Sequence, residues 1–414
     1  MAAEATEHSS KSSSYLKHKA DLDDLTILEK LDVVPAVLTT LANAAAAIFT
    51  RPFRPGPDSY FRYVAHTATR TLTRRTSVRQ QRYITAPTDV AYLVACKNRG
   101  VTPNSEMLED GTTAHWIGSS KAEKLVLNFP GGGYVFPASP EMFEFMFQIV
   151  DTLQAKGKNA AVLFLSYGIF PSLYLTTSPL TKPDLAPRSV YPRQLQQAAT
   201  LLNHVLHKLE VPPSKIILAG DSAGANLTMS LLSHISHPHP SGTIQPVSLS
   251  EPLRGVILIS PWISFRTTDP SFQKNAYKDC IDVRALRQWS NAFIGEEYPY
   301  PTKSDSYNHP ITAPISWWEG LKAEEVLVTV GEEEVLVDSI SEFAGNLRSG
   351  AGKGTKVELS VAEGDITVSR IWTCSWVIRR KMRGNKLRRL RVGLVASSKR
   401  LRSMPHPNLW WQLS

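Results

Sequence analysis

The stretch KIILAGDSAGANLTMSLLSHI, residues 215–235, decides the fold of this chain. Its opening KIILA is a short apolar run typical of a buried strand, and the part from Ala223 onward has the character of a helix. Between them, residues 220–224 have the pattern G-x-S-x-G, which places Ser222 on a tight turn from strand to helix. The two glycines lack a Cβ atom, so the strand and the helix can pack closely around this turn. We therefore predict that Ser222 is a nucleophile at a helix N-terminus, where developing negative charge is favoured.

Similar short apolar runs occur on both sides of this stretch and alternate with helical segments. Because they are continuously apolar, they indicate parallel strands that are buried on both faces of a sheet. Strands that alternate with helices are typical of an α/β fold with helices on both faces. The predicted strands are LVLNF (125–129), AAVLFLSY (160–167), KIILAGDS (215–222), GVILISPW (255–262), VLVTVG (326–331) and KVELSVAEG (356–364). Residues 22–50, 57–100, 143–157, 191–209 and 223–235 are predicted to be helical.

A run of glycines follows the first predicted strand, in PGGG at residues 130–133. The exposed backbone N–H groups of such a loop can face a carbonyl oxygen as it gains negative charge. The N–H group of Ala223, directly after the nucleophile, would supply another donor of the same kind. The sequence therefore predicts an oxyanion hole between this loop and Ser222.

Taken in order, these motifs resemble the hormone-sensitive-lipase-like branch of the α/β-hydrolases, and most nearly the fungal steryl acetyl hydrolase-like proteins. The resemblance extends from about residue 25 to 364 and is carried by PGGGY (130–134), SY (166–167), LAPRSVYPRQ (185–194), GDSAGANL (220–227), LSEPLRG (249–255), LISPW (258–262) and SWW (316–318). It implies an α/β-hydrolase fold with an N-terminal helical lid. It also implies hydrolysis of short acyl esters of lipophilic molecules such as sterols or secondary metabolites, without a metal or organic cofactor. The oxyanion donors it implies are the N–H groups of Gly132, Gly133 and Ala223.

The resemblance also implies an acidic residue after the strand VLVTVG, where the family has the pattern D-x-L-x-D. In the segment GEEEVLVDSI (331–340), the first acid maps to Glu334 and the last to Asp338. Glu334 is the preferred candidate, and Asp338 and Glu333 are the alternatives. The role of this carboxylate would be to orient a histidine and to stabilise its charged form.

The histidine that such a triad needs is missing from its expected position after the last strand. No histidine occurs between His309 and His406, and His406 lies beyond a long basic stretch. Pro130 stands where the family has a histidine before the glycine run. The segment at 168–183 also departs from the family pattern, which joins its neighbouring motifs almost directly. One hypothesis is that this segment and the residues after 365 derive from a translated intron or a shifted frame. The chain is then either an ester hydrolase or a catalytically impaired hydrolase-fold protein that acts as a binder or scaffold.

The positive charge of the chain is concentrated at its end. Twelve of the 46 Lys and Arg residues follow Asp365, where no acidic residue occurs, so the rest of the chain has 34 basic against 37 acidic residues. This nearly neutral body gives no reason to expect a nucleic-acid partner. The three cysteines are far apart and form no CxxC pair, which suggests neither a metal site nor a disulfide and favours a reducing compartment.

The N-terminal part divides into a polar segment and an apolar one. Residues 1–24 are predicted to be disordered and lack the apolar core of a signal peptide. The apolar stretch 33–49 is shorter than the about 20 residues of a membrane span, so we expect a buried or lid helix, with membrane-surface association and a true span as alternatives. The predicted organisation continues with a helical cap (25–105), a catalytic domain (106–364) and a basic tail (365–414). We expect an intracellular protein, in the cytoplasm or at the endoplasmic-reticulum membrane.

Overall fold

A computed structural model describes residues 25–54, 56–57, 59–169, 185–295 and 304–364 of the chain. Eight strands in these ranges form one sheet in the order β1-β2-β4-β3-β5-β6-β7-β8. β2 pairs antiparallel with both β1 and β4, and all other neighbours in the sheet are parallel. The strands are β1 (Ser105–Met107), β2 (Thr112–Ile117), β3 (Lys124–Phe129), β4 (Ala160–Ile169), β5 (Ile216–Asp221), β6 (Gly255–Ile259), β7 (Glu325–Gly331) and β8 (Lys356–Ala362).

Helices precede the sheet and then alternate with its parallel strands. The helices are α1 (Ile27–Thr50), α2 (Tyr60–Arg75), α3 (Val78–Tyr83), α4 (Thr88–Arg99), α5 (Pro140–Ala155), α6 (Arg193–His207), α7 (Ala223–Ser236), α8 (Ser271–Lys274), α9 (Val283–Ile294) and α10 (Val337–Ala351). The predicted α/β architecture with helices on both faces is therefore confirmed.

The parallel strands are buried on both faces, as their continuous apolar runs predict. In β5, Leu218 belongs to the larger core on the side of α6, α7 and α10. Its neighbours Ile217 and Ala219 belong to the smaller core, which contains side chains of α4 and α5. This alternation explains why the run has no polar face.

The structure corrects several boundaries of the predicted elements. β1 and β2 were not predicted, because β1 is only three residues long and TTAHWI in β2 is not an apolar run. The predicted strands 215–222 and 255–262 include Ser222 and Ser260, but β5 and β6 end before these serines. Both serines have positive φ angles, 49° and 45°, which extended strands do not have. The segment at 168–183 lies outside the described residues except for its first two, and residues 1–24 and 365–414 lie outside them entirely.

Helices α1, α2 and α3 precede the sheet, and we call this group of helices the cap. Thr26 and Ser77 begin α1 and α3 with capping boxes. Each side chain accepts the backbone N–H of the third helical residue, and the side chain of that residue accepts the backbone N–H of Thr26 or Ser77. The helix predicted around residues 33–49 is thus present. Of the expected buried or lid helix, the buried form is wrong for most of the length, since only Ala36 and Ala47 of α1 are buried, and the lid stays a prediction. By length and composition, Ile27–Phe53 is apolar enough to cross a membrane.

Candidate active site

Ser222 lies on the turn between β5 and α7 with φ 49° and ψ −114°. A residue with a side chain rarely adopts such angles, and they persist only where the surroundings hold them. The backbone N–H of Ser222 donates to the Ile259 carbonyl at 2.8 Å, and its carbonyl accepts from the Trp262 N–H at 3.0 Å. β6 and the segment after it therefore fix the strained turn from one side.

Glycines permit the close approach of strand and helix at this turn. A Cβ atom on Gly224 would lie 1.9 Å from the Phe129 carbonyl oxygen at the end of β3. A Cβ atom on Gly220 would lie 2.4 Å from the carbonyl oxygen of Gly224. Both contacts are far inside van der Waals distance, so the G-x-S-x-G pattern is a packing requirement at these two positions.

Asp221 connects the turn to the glycine loop. Its Oδ1 accepts the Gly131 N–H at 3.0 Å, and a Cβ atom on Gly131 would lie 2.2 Å from its Oδ2. The carboxyl is buried, and this burial raises its pKa from 3.8 to about 6. The residue before Ser222 thus positions the loop that the sequence predicts to be the oxyanion hole.

The loop after β3 turns on two glycines with positive φ, 111° at Gly132 and 60° at Gly133. The Trp289 ring of α9 closes over Gly133, where an added Cβ atom would lie 2.8 Å from the ring. The Tyr167 hydroxyl donates to the Pro130 carbonyl at 3.1 Å and holds the start of the loop. Among the described residues, no hydrogen-bond partner is found for the N–H groups of Gly132, Gly133 and Ala223.

Tyr134 supports the loop from the side of α7. Its backbone has φ 59°, and its buried hydroxyl donates to Asn226 Oδ1 at 2.8 Å. Asn226 in turn donates to the Trp262 carbonyl at 3.0 Å, and the Tyr134 ring stacks on Phe293 at 4.0 Å. The sequence pattern alone did not single out these supporting residues, although the motifs PGGGY, GDSAGANL and LISPW contain three of them.

Glu334 is buried just after β7. Its Oε1 accepts the Ser260 hydroxyl and the Gly331 N–H, each at 2.7 Å. Ser260 directly follows Ile259, which binds the backbone of Ser222. The structure therefore places Ser222, Ser260 and Glu334 at the carboxyl ends of the adjacent strands β5, β6 and β7.

The two alternative acids have other contacts. Asp338 Oδ2 accepts the Ser271 N–H at 2.7 Å and lies in the first turn of α10. Glu333 forms an ion pair with Lys278 at 3.0 Å. Among the three candidates, Glu334 is the one that contacts Ser260, in the segment that binds the backbone of Ser222. Ser260 is a further site residue that sequence reasoning missed, although it lies in the quoted LISPW motif.

The last histidine before the expected position, His309, makes structural hydrogen bonds. Its Nε2 accepts the Phe265 N–H at 3.0 Å, so its Nδ1 carries the proton and donates to Ser304 Oγ at 2.7 Å. Burial lowers the pKa of His309 to about 4, which keeps the ring neutral. His406 lies outside the described residues.

Neither a metal centre nor a disulfide forms in the part of the chain that the structure describes. No group of three or more His, Cys, Asp or Glu residues is arranged there to hold a metal ion. Cys96 and Cys280 are free thiols, and Cys374 lies outside that part. The chemistry that the described site offers is therefore that of a serine hydroxyl, backbone N–H donors and a buried carboxylate.

This arrangement of sheet, turn and loop defines an α/β-hydrolase fold. A family model described as α/β hydrolase fold matches residues 184–368, which include Ser222 and Glu334. The esterase from the bacterial hormone-sensitive lipase family is a similar solved structure, with a TM-score of 0.51, 20% identity, and coverage of 81% of this chain and 91% of that one. An esterase/lipase from an uncultured bacterium has a TM-score of 0.50, 21% identity, and coverage of 70% and 85%. At these identities the likeness shows the fold.

Curated relatives match shorter parts of the chain. An acetyl-hydrolase of Streptomyces hygroscopicus is 26% identical over 243 residues, which are 58% of this chain and 68% of that protein. An esterase of Acinetobacter venetianus is 26% identical over 160 residues, which are 38% of this chain and 46% of that protein. The second match therefore spans less than half of the relative.

Proposed function

We propose that this chain is a carboxylic ester hydrolase of the hormone-sensitive-lipase-like branch, with Ser222 as its nucleophile. The observation that carries the proposal is the strained backbone of Ser222 beside N–H donors that have no partner among the described residues. Such a serine on a strand-to-helix turn is the arrangement that acyl transfer requires. The names of the relatives, an acetyl-hydrolase and an esterase, support the same reaction class.

The proposed reaction starts with attack of Ser222 Oγ on the carbonyl carbon of an ester. The carbonyl oxygen becomes an oxyanion and accepts the N–H groups of Gly132, Gly133 and Ala223. The alcohol leaves with a proton, and water then hydrolyses the acyl-serine to release the acid and restore the hydroxyl. In the triad of this fold, Glu334 would orient a histidine that takes the Ser222 proton and returns it to the leaving alcohol, but no histidine lies in the expected position after β8.

A second candidate function follows from the missing base. No histidine is found in the expected position after β8, and without a base Ser222 stays a weakly nucleophilic hydroxyl. The alternative is a hydrolase-fold protein that binds an ester or another ligand without turnover. Loss of a triad member leaves only the catalysis that the oxyanion hole and binding supply, several orders of magnitude below an intact triad.

A fluorophosphonate probe separates the two functions, because it labels only an activated serine. We expect labelling of the purified full chain at Ser222 and turnover of p-nitrophenyl acetate, both abolished in Ser222→Ala. Ser349→Ala, an exposed serine of α10, is the matched control and should retain both. Absence of labelling and turnover in a chain with a cooperative melting transition would support the binder instead.

We further propose that the substrates are short acyl esters, such as acetates, of lipophilic molecules like sterols or secondary metabolites. The aromatic surroundings of the glycine loop support an apolar substrate, since Phe136 and Trp289 pack edge to face at 5.7 Å beside Gly133. We expect p-nitrophenyl acetate to be hydrolysed faster than the octanoate, and a sterol acetate faster than a sugar acetate. The reverse order in either pair would contradict this substrate class.

A further inference from the structure

The outward face of α1 is an exposed apolar surface that the proposed active site does not use. Large apolar side chains of this helix are exposed, from 39% at Val37 to 78% at Leu28. They are Ile27, Leu28, Leu31, Val34, Val37, Leu38, Leu41, Ile48 and Phe49, and we call this set the α1 face. Contiguous exposed apolar surface of this kind marks a site of interaction with a protein, a ligand or a membrane.

The opposite side of α1 contains the small and polar residues. Ala36 and Ala47 are its buried positions, and Thr40 lies between them with its hydroxyl donating to the Ala36 carbonyl. The two acids of α1 also turn inward: Glu29 pairs with Arg79 at 3.1 Å, and Asp32 pairs with Arg75 at 2.6 Å. A helix on a soluble surface places its large apolar residues inward, so α1 has the inverse pattern.

α1 and α2 form an antiparallel pair that is tied at both ends. Asp32 near the start of α1 binds Arg75 at the end of α2, and Arg51 just after α1 lies over the Tyr63 ring near the start of α2. A transmembrane orientation of α1 would carry α2 into the bilayer with it. Because α2 contains Arg62, Arg70, Arg74 and Arg75, that orientation has a large energetic cost.

We propose that the α1 face inserts in the plane of a membrane surface, with α2 and the rest of the cap above it. The α1 face covers about half of the helix circumference at 100° per residue, which is wider than the narrow seam of a coiled-coil dimer. The exposed aromatic residues Phe53, Tyr60 and Phe61 follow at its C-terminal end. Aromatic side chains are enriched at the boundary between hydrocarbon and water.

The charges around the α1 face favour an anionic lipid surface. Lys30 is the exposed charged residue of α1, since Glu29 and Asp32 form ion pairs with arginines of the neighbouring helices. Arg54 is exposed just beyond the C-terminal end of the helix. The helix therefore presents basic groups near its two ends and no unpaired acid between them. Apolar burial combined with basic residues at the rim is typical of helices that lie in a membrane interface.

Vesicle flotation of the full chain tests this proposal. We expect co-flotation with vesicles of phosphatidylcholine and phosphatidylserine, and weaker binding to phosphatidylcholine alone. The triple variant Leu31→Ser/Leu38→Ser/Leu41→Ser should lower the bound fraction about ten-fold or more. The matched control Val90→Ser/Leu93→Ser/Val94→Ser removes three exposed apolar side chains of α4 and should bind like the unchanged chain.

Two further measurements test the alternatives to this proposal, which are a membrane-spanning α1 and a second copy of the chain bound to the α1 face. Trypsin added outside vesicle-bound protein should release peptides from residues 1–24, because an in-plane helix leaves both of its ends on one side of the membrane. Protection of these peptides would show that α1 spans the membrane.

Analytical ultracentrifugation should give the same mass for the unchanged chain and the triple variant. A dimer that the triple variant dissociates, without vesicle binding, would overturn the proposal in favour of a second copy. None of these outcomes depends on ester hydrolysis, so a failure of the membrane proposal is distinguishable from a failure of the proposed reaction.

Discussion

Ser222 can adopt its left-handed backbone because Gly220 and Gly224 leave room for β3, β5 and α7 to meet around it. We expect Gly224→Ala to destabilise the protein by about 3 kcal/mol or to prevent folding, since its Cβ would overlap the Phe129 carbonyl. Gly345→Ala in α10 is the matched control, because no atom lies within 4 Å of its added Cβ. This control should be neutral or stabilising by up to about 1 kcal/mol. Urea denaturation of both variants measures the difference, and equal effects would contradict the packing argument.

Asp221 gives the site a pH-dependent stability. Its pKa is about 6 in the folded chain against an ordinary 3.8, so its contribution to stability is full below about 3.8 and is lost as the pH rises through 6. This difference in the pKa of Asp221 corresponds to about 3 kcal/mol in the free energy of unfolding. Asp221→Asn cannot ionise, so its unfolding free energy relative to the unchanged chain should rise by about this amount from pH 4 to pH 7.5. A difference that stays constant across this range would refute the buried-carboxylate interpretation.

Glu334 can be tested as an orienting residue while its hydrogen bonds to Ser260 and Gly331 are kept. In Glu334→Gln the amide oxygen can still accept from Ser260 and Gly331, but the negative charge is gone. We expect kcat for p-nitrophenyl acetate to fall about a thousand-fold or more, with little change in melting temperature. Asp338→Asn, whose carboxylate binds the Ser271 N–H instead, should lose far less activity. Equal losses in the two variants would argue against the assignment of Glu334.

At the scale of elements, the sequence predicts the parallel strands well because they are buried on both faces and need continuous apolar runs. It misses β1 and β2 because their pairing is antiparallel and their side chains are mixed, as in TTAHWI. The turn at Ser222 and the glycine loop are also predictable, since both require residues without a Cβ atom. Contacts such as that of Ser260 with Glu334 join residues 74 positions apart, and no local pattern encodes that pairing. For the apolar stretch of α1 the sequence leaves a buried or lid helix, a membrane-surface helix and a span as alternatives, because helical periodicity does not say which side of a helix faces the protein.

The link between the cap and the glycine loop is Trp289. Its Nε1 donates to Gln81 Oε1 at 2.9 Å, while its ring covers Gly133. We expect Trp289→Ala to lower kcat/KM about ten-fold or more, because the loop loses the ring that holds its donors in place. Trp289→Phe keeps a ring over the loop and removes only the hydrogen bond, so it should retain most of the activity. Steady-state kinetics on p-nitrophenyl acetate measures both variants, and similar losses would assign the effect to the hydrogen bond instead.

At the scale of the whole molecule, the α1 face and the glycine loop are connected through the cap. α1 binds α3 through Gln80, whose side chain donates to the Glu29 carbonyl, and the neighbouring Gln81 binds Trp289 above the loop. A chain seated on a membrane by α1 would therefore hold its proposed active site at a fixed place above the surface. Lipophilic esters concentrate in membranes, so this placement would bring the serine close to its proposed substrates.

This geometry leads to different expectations for soluble and membrane-embedded esters. The variant Leu31→Ser/Leu38→Ser/Leu41→Ser should hydrolyse a sterol acetate in anionic vesicles about ten-fold more slowly, because less enzyme reaches the surface. Its rate on p-nitrophenyl acetate in solution should stay unchanged, since the α1 face lies on the outer side of the cap. Assays of both substrates with the α4 control variant exclude a general loss of folding. An equal loss on both substrates would mean that α1 acts through the cap on the active site, and equal retention would mean that membrane binding does not supply the substrate.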